Sequence, residues 1–248
     1  MTQPTFRALT FNIRTDRGLD GRNSWLLRRH AVVDVIREID PDVAGLQEVR
    51  RFQLAFLQAQ LPEYGFLSAG WANGRQRGEH CPVLYRHDRF GVDRWELRWF
   101  AENQSGRAAT LAQLFDRRTG ARVCVANTHF DHRSPDRRTN SAAALSVWVR
   151  AWDGQWVVLG DFNATVVEAG VATLIAGGLN DALPSLPPRG DNAATAHRFT
   201  GGVHGSRIDH ILVSPALEVV EAAIVRTTPG GRLPSDHWPV TAVLRSRA

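Results

Sequence analysis

Six apolar runs in the 248-residue chain carry a carboxylate, an amide or an imidazole at one end. ALTFNI ends near Asn12, VAGLQE on Glu48, and WVVLGDFN on Asp161 and Asn163. VCVANTHFDH carries Asn127, His129 and Asp131, which alternate onto one face of an extended strand. SRIDHILV carries Asp209, and LPSDHWPV places Asp236 and His237 just before a strand. One such residue is ordinary, because an aspartate after a strand usually makes a turn. Six in one chain form a set of hard oxygen donors and imidazoles. Asn, Asp and Glu are the donors that Mg²⁺ or Mn²⁺ prefer, and magnesium sites leave several positions to water and phosphate. The thiolates and clustered histidines of a zinc site are missing. HFDH is preceded by Asn127 and Thr128, so no H-x-H pair completes a dinuclear zinc pattern. No Gly-x-Ser-x-Gly elbow is present, which argues against serine-hydrolase chemistry.

Composition narrows the chemistry further. All 30 basic residues are arginine, so every reaction class that needs a lysine amine is excluded. A GC-rich genome, which favours arginine codons everywhere, explains that bias better than function does. Arginine nevertheless suits phosphate, because its planar fork binds two oxygens at once. The net charge of +5 is compatible with a polyanionic partner without requiring one. Cys81 and Cys124 sit in apolar runs and read as small buried hydrophobes. The N-terminus lacks the apolar core of a signal peptide, and no run of about 18 apolar residues spans a membrane. The expectation is a cytoplasmic, soluble protein.

The elements that must position these residues follow from pattern. Strands are expected at Phe6–Ile13, Val43–Gln47, Tyr64–Ser68, Cys81–Tyr85, Phe90–Phe100, Ala108–Phe115, Arg122–His129 and Val157–Leu159. Ile208–Val213, Leu217–Val225 and Val240–Leu244 complete the strands. Helices are expected at Trp25–Ile39, Phe52–Leu61, Arg137–Arg150 and Val167–Ala176. No linker interrupts the chain, so residues 1–248 read as one α/β domain with helices covering sheet faces. Two long loops, Ala69–His80 and Pro184–Arg207, are rich in Gly, Pro, Arg and Asn and are placed to read a substrate.

TFNIR, LQEV, NTHFDH, GDFN, RIDHILVS and SDHWPV occur in the order and at roughly the spacing of the endonuclease/exonuclease/phosphatase superfamily. The chain resembles its bacterial NTHLDH-type members, and more distantly deoxyribonuclease I. The resemblance implies a four-layer αββα sandwich of two mixed, mainly antiparallel sheets. It implies Glu48 as principal metal ligand, with Asn12 beside the metal and Asp236 as a further metal-facing carboxylate. Asp161 would activate the attacking water and Asn163 would orient it or the phosphate. His237, positioned by Asp209, and His129 would contact the phosphate or leaving group. Glu79 has the spacing of an acidic partner for His129, and Arg107 and Arg138 match arginines of the bacterial group. Asn127 and Asp131 would support the site, and Trp71 would stack a ring. His132 and His197 border it, and His80 stands where an aromatic is common. The segment Ala101–Arg107 is short for a bacterial member, which would leave that wall open. Neither Tyr64 nor Tyr85 lies near His129, which argues against abasic-site repair.

The expected function is a Mg²⁺- or Mn²⁺-dependent phosphoesterase that hydrolyses a phosphodiester as a nuclease or related phosphodiesterase. A small-molecule or lipid phosphatase or phosphodiesterase is the alternative. The intact polar set argues against a catalytically silent binding module. The partner is a phosphoester, nucleic acid among the candidates, and the expected state is a monomer.

Overall fold

The structure is a computed structural model that describes residues 4–16, 20–101 and 106–247. The shortened wall expected at 101–107 therefore lies mostly outside the described residues. The first half of the chain forms β1 (Thr5–Asn12), α1 (Trp25–Ile39), β2 (Val43–Gln47), α2 (Arg51–Gln60), β3 (Tyr64–Leu67), β4 (Val83–Arg86), β5 (Phe90–Trp99) and β6 (Ala108–Asp116). It continues with β7 (Arg122–His129), α3 (Pro135–Arg150), β8 (Gln155–Asp161), α4 (Ala169–Ala176), β9 (Asn180–Asp181), β10 (Arg189–Gly190) and β11 (Gly205–Ser206). β12 (Asp209–Val213), β13 (Leu217–Ile224) and β14 (Val240–Ser246) end it. The strands form two six-stranded sheets, ordered β13-β14-β1-β2-β4-β3 and β5-β6-β7-β8-β12-β9. β1 with β2 and β7 with β8 are parallel pairs, and the other pairings are antiparallel.

Alternation along the strands builds the layers. Phe6 and Ala8 of β1, Val123 and Val125 of β7, Val157 and Leu159 of β8, and Ile211 and Val213 of β12 fill one core between the sheets. Leu9 and Phe11 point the other way, into a core with Val32, Val35 and Ile36 of α1. Cys124, Ala126 and Val158 likewise meet Ala142 and Leu145 of α3 and Val171 of α4. Three stacked cores make the α/β sandwich four layers deep. The long segment 184–207 contains the two-stranded β10–β11 pair, and β9 adds to β12. Two-residue strands have no period to read, so pattern passes over them. α4 starts two residues later than expected, because Thr165 donates its N–H and hydroxyl to Glu168 and makes a turn first. Among the described residues no helix is long and apolar enough to cross a membrane.

Arg28 of α1 is fully buried and fastens the loops around the sheet edge. Its guanidinium donates to the carbonyls of Ile13, Arg14, Asn23 and Pro234. One side chain thus joins the end of β1 to the segments before α1 and before His237. Burial lowers its pKa to about 10, with nearby carboxylates opposing the shift, so the group stays charged at neutral pH. Arg28→Met leaves the carbonyls of Ile13, Asn23 and Pro234 without this donor, while Arg14 O keeps Gln53 Nε2, and is expected to lower stability by at least about 3 kcal/mol in urea unfolding. A loss below about 1 kcal/mol would show that the loops hold without it.

Candidate active site

Strand register brings the polar ends together. His129 on β7 lies opposite Asp161 on β8, and Asp209 on β12 lies opposite Asp161 on the other side. Each has the parity of its strand's inward-facing valines, leucines or isoleucines, so all three point between the sheets. Asn12 closes the group from the end of β1 in the facing sheet. The focus is one atom, Asp161 Oδ2. Asn12 Nδ2 donates to it at 3.0 Å, His129 Nε2 lies at 3.4 Å and His237 Nε2 at 3.9 Å. The other oxygen, Oδ1, accepts the N–H of Asn163 at 3.0 Å. His237 Nδ1 meets Asp209 Oδ2 at 2.9 Å, and Asp209 is itself buried. Thr195 Oγ1 accepts the N–H groups of Ile208 and Asp209 and fixes the start of β12.

The charges diverge for identifiable reasons. Burial, and then repulsion from Asp209, raises the Asp161 pKa to about 7, while His237, Asn12 and the Asn163 N–H oppose the rise. Burial pulls His237 down, but the charge and hydrogen bond of Asp209, with Asp161 and Asp236, hold it well above the usual histidine range. Burial holds His129 well below that range, helped by Arg107, His237 and His132. The centre thus carries a carboxylate of raised proton affinity between a cationic and a neutral imidazole.

A second group lies beside it. Glu48 follows β2, and its two carboxylate oxygens accept from Asn12 Nδ2 at 3.2 Å and the Thr15 N–H at 2.9 Å. Arg14 Nη1 lies 3.7 Å from Asp236 Oδ2 and Nη2 lies 3.1 Å from Asp20 Oδ1. Glu48 and Asn163 hold left-handed backbones, with φ of 62° and 49°. Non-glycine residues there store of order 1–3 kcal/mol of strain, which the surrounding structure must over-determine. Asn163 Nδ2 donates to Phe130 O at 3.1 Å and so helps to hold that turn.

The other sequence candidates take different places. Asn127 stands two residues deeper than His129 and is fully buried. It donates to the carbonyls of Leu46 and Pro82 and accepts from Gln47, tying the sheets together away from the Asp161 centre. Asp131 accepts the N–H groups of Arg133 and Ser134 and shapes the turn into α3. Arg138 donates to Asp131 O at 3.1 Å and approaches Glu168 at 3.8 Å. His129 Nδ1 is buried with no hydrogen-bond partner among the described residues, and Glu79 Oε2 lies 4.0 Å from Arg107 Nη1. Arg107 stacks over Trp71 at 4.7 Å, and the Trp71 ring lies 6.4 Å from His129. Trp71, Glu79, Arg107 and Asp131 line a cavity of about 670 Å³. His132 is exposed within 3.4 Å of Arg107. His197 packs on Trp238 at 4.3 Å. His80 is buried against Ser68, at 2.8 Å, which removes it from the substrate-facing surface. Arg14 and Arg28 were not legible as site residues. Arg14 stands inside the TFNIR motif, whereas nothing in the spacing of α1 marks Arg28.

Buried His210 behind the site gives a pH signature. Arg207 Nη1 approaches its Nδ1 at 3.1 Å, and its Nε2 lies 2.8 Å from Ala164 O. Burial, then Arg207, lowers its pKa to about 4. Between pH 4 and 6.5 this histidine therefore binds protons more readily in the unfolded chain, and its contribution to stability falls as the pH drops through that window. His210→Gln is expected to flatten this dependence in urea unfolding. An unchanged slope would remove His210 as its source.

The comparisons agree with this architecture. A crystal structure of an endonuclease/exonuclease/phosphatase from Bacteroides vulgatus superposes with a TM-score of 0.90 at 31% identity, covering 99% of this chain and 100% of that one. A mannosyl-6-phosphatase from Bacteroides thetaiotaomicron gives 0.88 at 25% identity, covering 96% and 99%. Nocturnin from Drosophila melanogaster is 30% identical over 174 residues, which is 61% of this chain but only 26% of that protein. The sequence profile of the Endonuclease/Exonuclease/phosphatase family matches residues 9–237. That span reaches from β1 to His237 and takes in every strand except β14, and the chain belongs to the endonuclease/exonuclease/phosphatase family.

Proposed function

We propose that this protein is a divalent-metal-dependent phosphodiesterase in which Asp161 activates a water for in-line attack on phosphorus. The observation that carries the reading is the convergence of Asn12, His129 and His237 on one oxygen of Asp161. Members of the family are typically hydrolases acting on phosphoester bonds and generally use divalent metals.

The chain's own groups divide the work. Asp161 Oδ2 takes a proton from water, and a base with a pKa near the working pH does this efficiently. Asn12 and the Asn163 N–H hold the carboxylate in place. His237 keeps its proton through Asp209 and donates from Nε2 to a non-bridging phosphoryl oxygen as charge builds there. His129 faces the same point as a neutral imidazole, on the side of the cavity bounded by Trp71 and Arg107.

The acidic flank fits a hard cation. Glu48 is half-exposed and faces the Asn12 side-chain amide at 3.2 Å, and the charges of Glu48 and Asp236 both act on Arg14. Asp161, Asp209 and His237 also bring possible ligand atoms within 4.8 Å of one another. His237 is held cationic there, with Nδ1 committed to Asp209, so that trio suits proton handling better than cation binding. A divalent ion held by Glu48, Asn12 and Asp236 would neutralise phosphoryl charge.

The test is hydrolysis of bis-p-nitrophenyl phosphate with Mg²⁺ or Mn²⁺. Turnover is expected, EDTA is expected to abolish it, and Glu48→Gln is expected to weaken Mn²⁺ binding in calorimetry at least about tenfold. EDTA-insensitive turnover would remove the metal from the account. A small phosphomonoester is the second reading, favoured by the mannosyl-6-phosphatase relative. Faster turnover of p-nitrophenyl phosphate than of the diester would select it.

A further inference from the structure

A second cleft, of about 540 Å³, opens between the segments that carry Asn23, Phe199 and Leu233. Arg22, Arg198 and Arg232 surround it, and Phe199 and Leu233 lie among its walls. All three arginines are exposed, whereas Phe199 and Leu233 are half-buried. No carboxylate lines it among the described residues. An arginine cluster without acids concentrates anions, and the guanidinium fork fits phosphate oxygens.

The cleft is tied to the catalytic centre through the backbone. The N–H groups of His197 and Arg198 both donate to Asp236 O, at 2.8 and 3.1 Å, one residue before His237. Arg198 and Phe199 then hold left-handed backbones in succession, with φ of 52° and 60°. Such strain in two adjacent non-glycine residues is a mark of constrained functional segments. The buried Arg28 guanidinium lies 5.7 Å from the Phe199 ring and supports it. Sheet order separates this cleft from the Trp71–Arg107 cavity. That cavity belongs to the side of β4 and β6, whereas Arg198 and Arg232 precede β12 and β14 on the other side of β1 and β8. A substrate running across the centre therefore has a place to bind on both flanks.

We propose that Arg22, Arg198 and Arg232 form a second phosphate subsite, which holds a phosphate of an oligonucleotide strand away from the scissile bond while a base stacks on Phe199. The inference rests on the phosphodiesterase reading and names the substrate that fits it. A small sugar phosphate has one phosphate and leaves this subsite empty, and an inositol polyphosphate has no planar ring for Phe199. A strand supplies both at a fixed spacing.

The test is fluorescence anisotropy of a labelled single-stranded DNA of roughly ten nucleotides, in EDTA so that the strand stays intact. The triple Arg22→Gln, Arg198→Gln, Arg232→Gln variant is expected to raise Kd at least about tenfold. It should also reduce the slope of log K against log salt by about 0.7, the value for one lost phosphate contact on a single strand. The matching triple lysine variant should keep the slope. A glutamine variant with wild-type Kd and slope, or a wild-type protein that does not bind the strand at low salt, overturns the proposal. Wild-type hydrolysis of bis-p-nitrophenyl phosphate, measured in parallel, reports on the phosphodiesterase reading alone, because that ester carries only the scissile phosphate.

Discussion

Asp161→Asn is expected to lower kcat for bis-p-nitrophenyl phosphate at least about 100-fold while making the metal-free protein more stable. Both effects have one origin. The carboxylate is buried beside Asp209, and its pKa is raised to about 7. Between the ordinary aspartate range and pH 7 this carboxyl therefore binds a proton more readily in the folded state than in the unfolded chain. Its contribution to stability is lost as the pH rises through that window. Asparagine keeps an oxygen to accept from Asn12 or from the Asn163 N–H, but it carries no charge to desolvate and no site for the proton of water. Turnover should fall and the thermal midpoint in EDTA at pH 8 should rise. A variant with more than about a tenth of wild-type turnover would remove Asp161 as the base. A lowered midpoint would make the residue structural.

His237→Gln is expected to cost at least about 100-fold in kcat, because a charged donor to the phosphoryl group is lost. Asp209→Asn separates positioning from charge. Asp209 is the main group opposing the effect of burial on His237, through its charge and its hydrogen bond. Without the carboxylate, His237 loses its proton at a lower pH. The alkaline limb of the kcat profile should move toward neutral pH, and kcat at pH 6 should be less affected than kcat at pH 9. A profile that falls uniformly at all pH values would show that Asp209 only supports the fold.

Much of this centre was legible because inward-facing positions repeat every second residue. Asn12, His129, Asp161 and Asp209 share parity with the apolar residues of their own strands, so a correct strand reading already places them inside. Parity does not give depth, however. Asn127 has the same parity as His129, yet it lies two residues further in and serves as an inter-sheet tie. Nor does it give contacts between loops. Arg28 sits among other arginines on α1, and only the folded chain shows four carbonyls around it. The arginine cleft stayed hidden for the same reason, since Arg22, Arg198 and Arg232 come from three distant segments. The absence of lysine, by contrast, was informative at once. The proposed chemistry needs no amine, and arginine meets phosphate in its place.

The central claim is a single displacement at phosphorus by a water that Asp161 activates. Its most direct test is the stereochemical course of hydrolysis of a phosphorothioate diester, chiral at phosphorus, in oxygen-18 water. In-line attack by water predicts inversion of configuration. Retention would require two displacements through a covalent enzyme intermediate and would contradict the account.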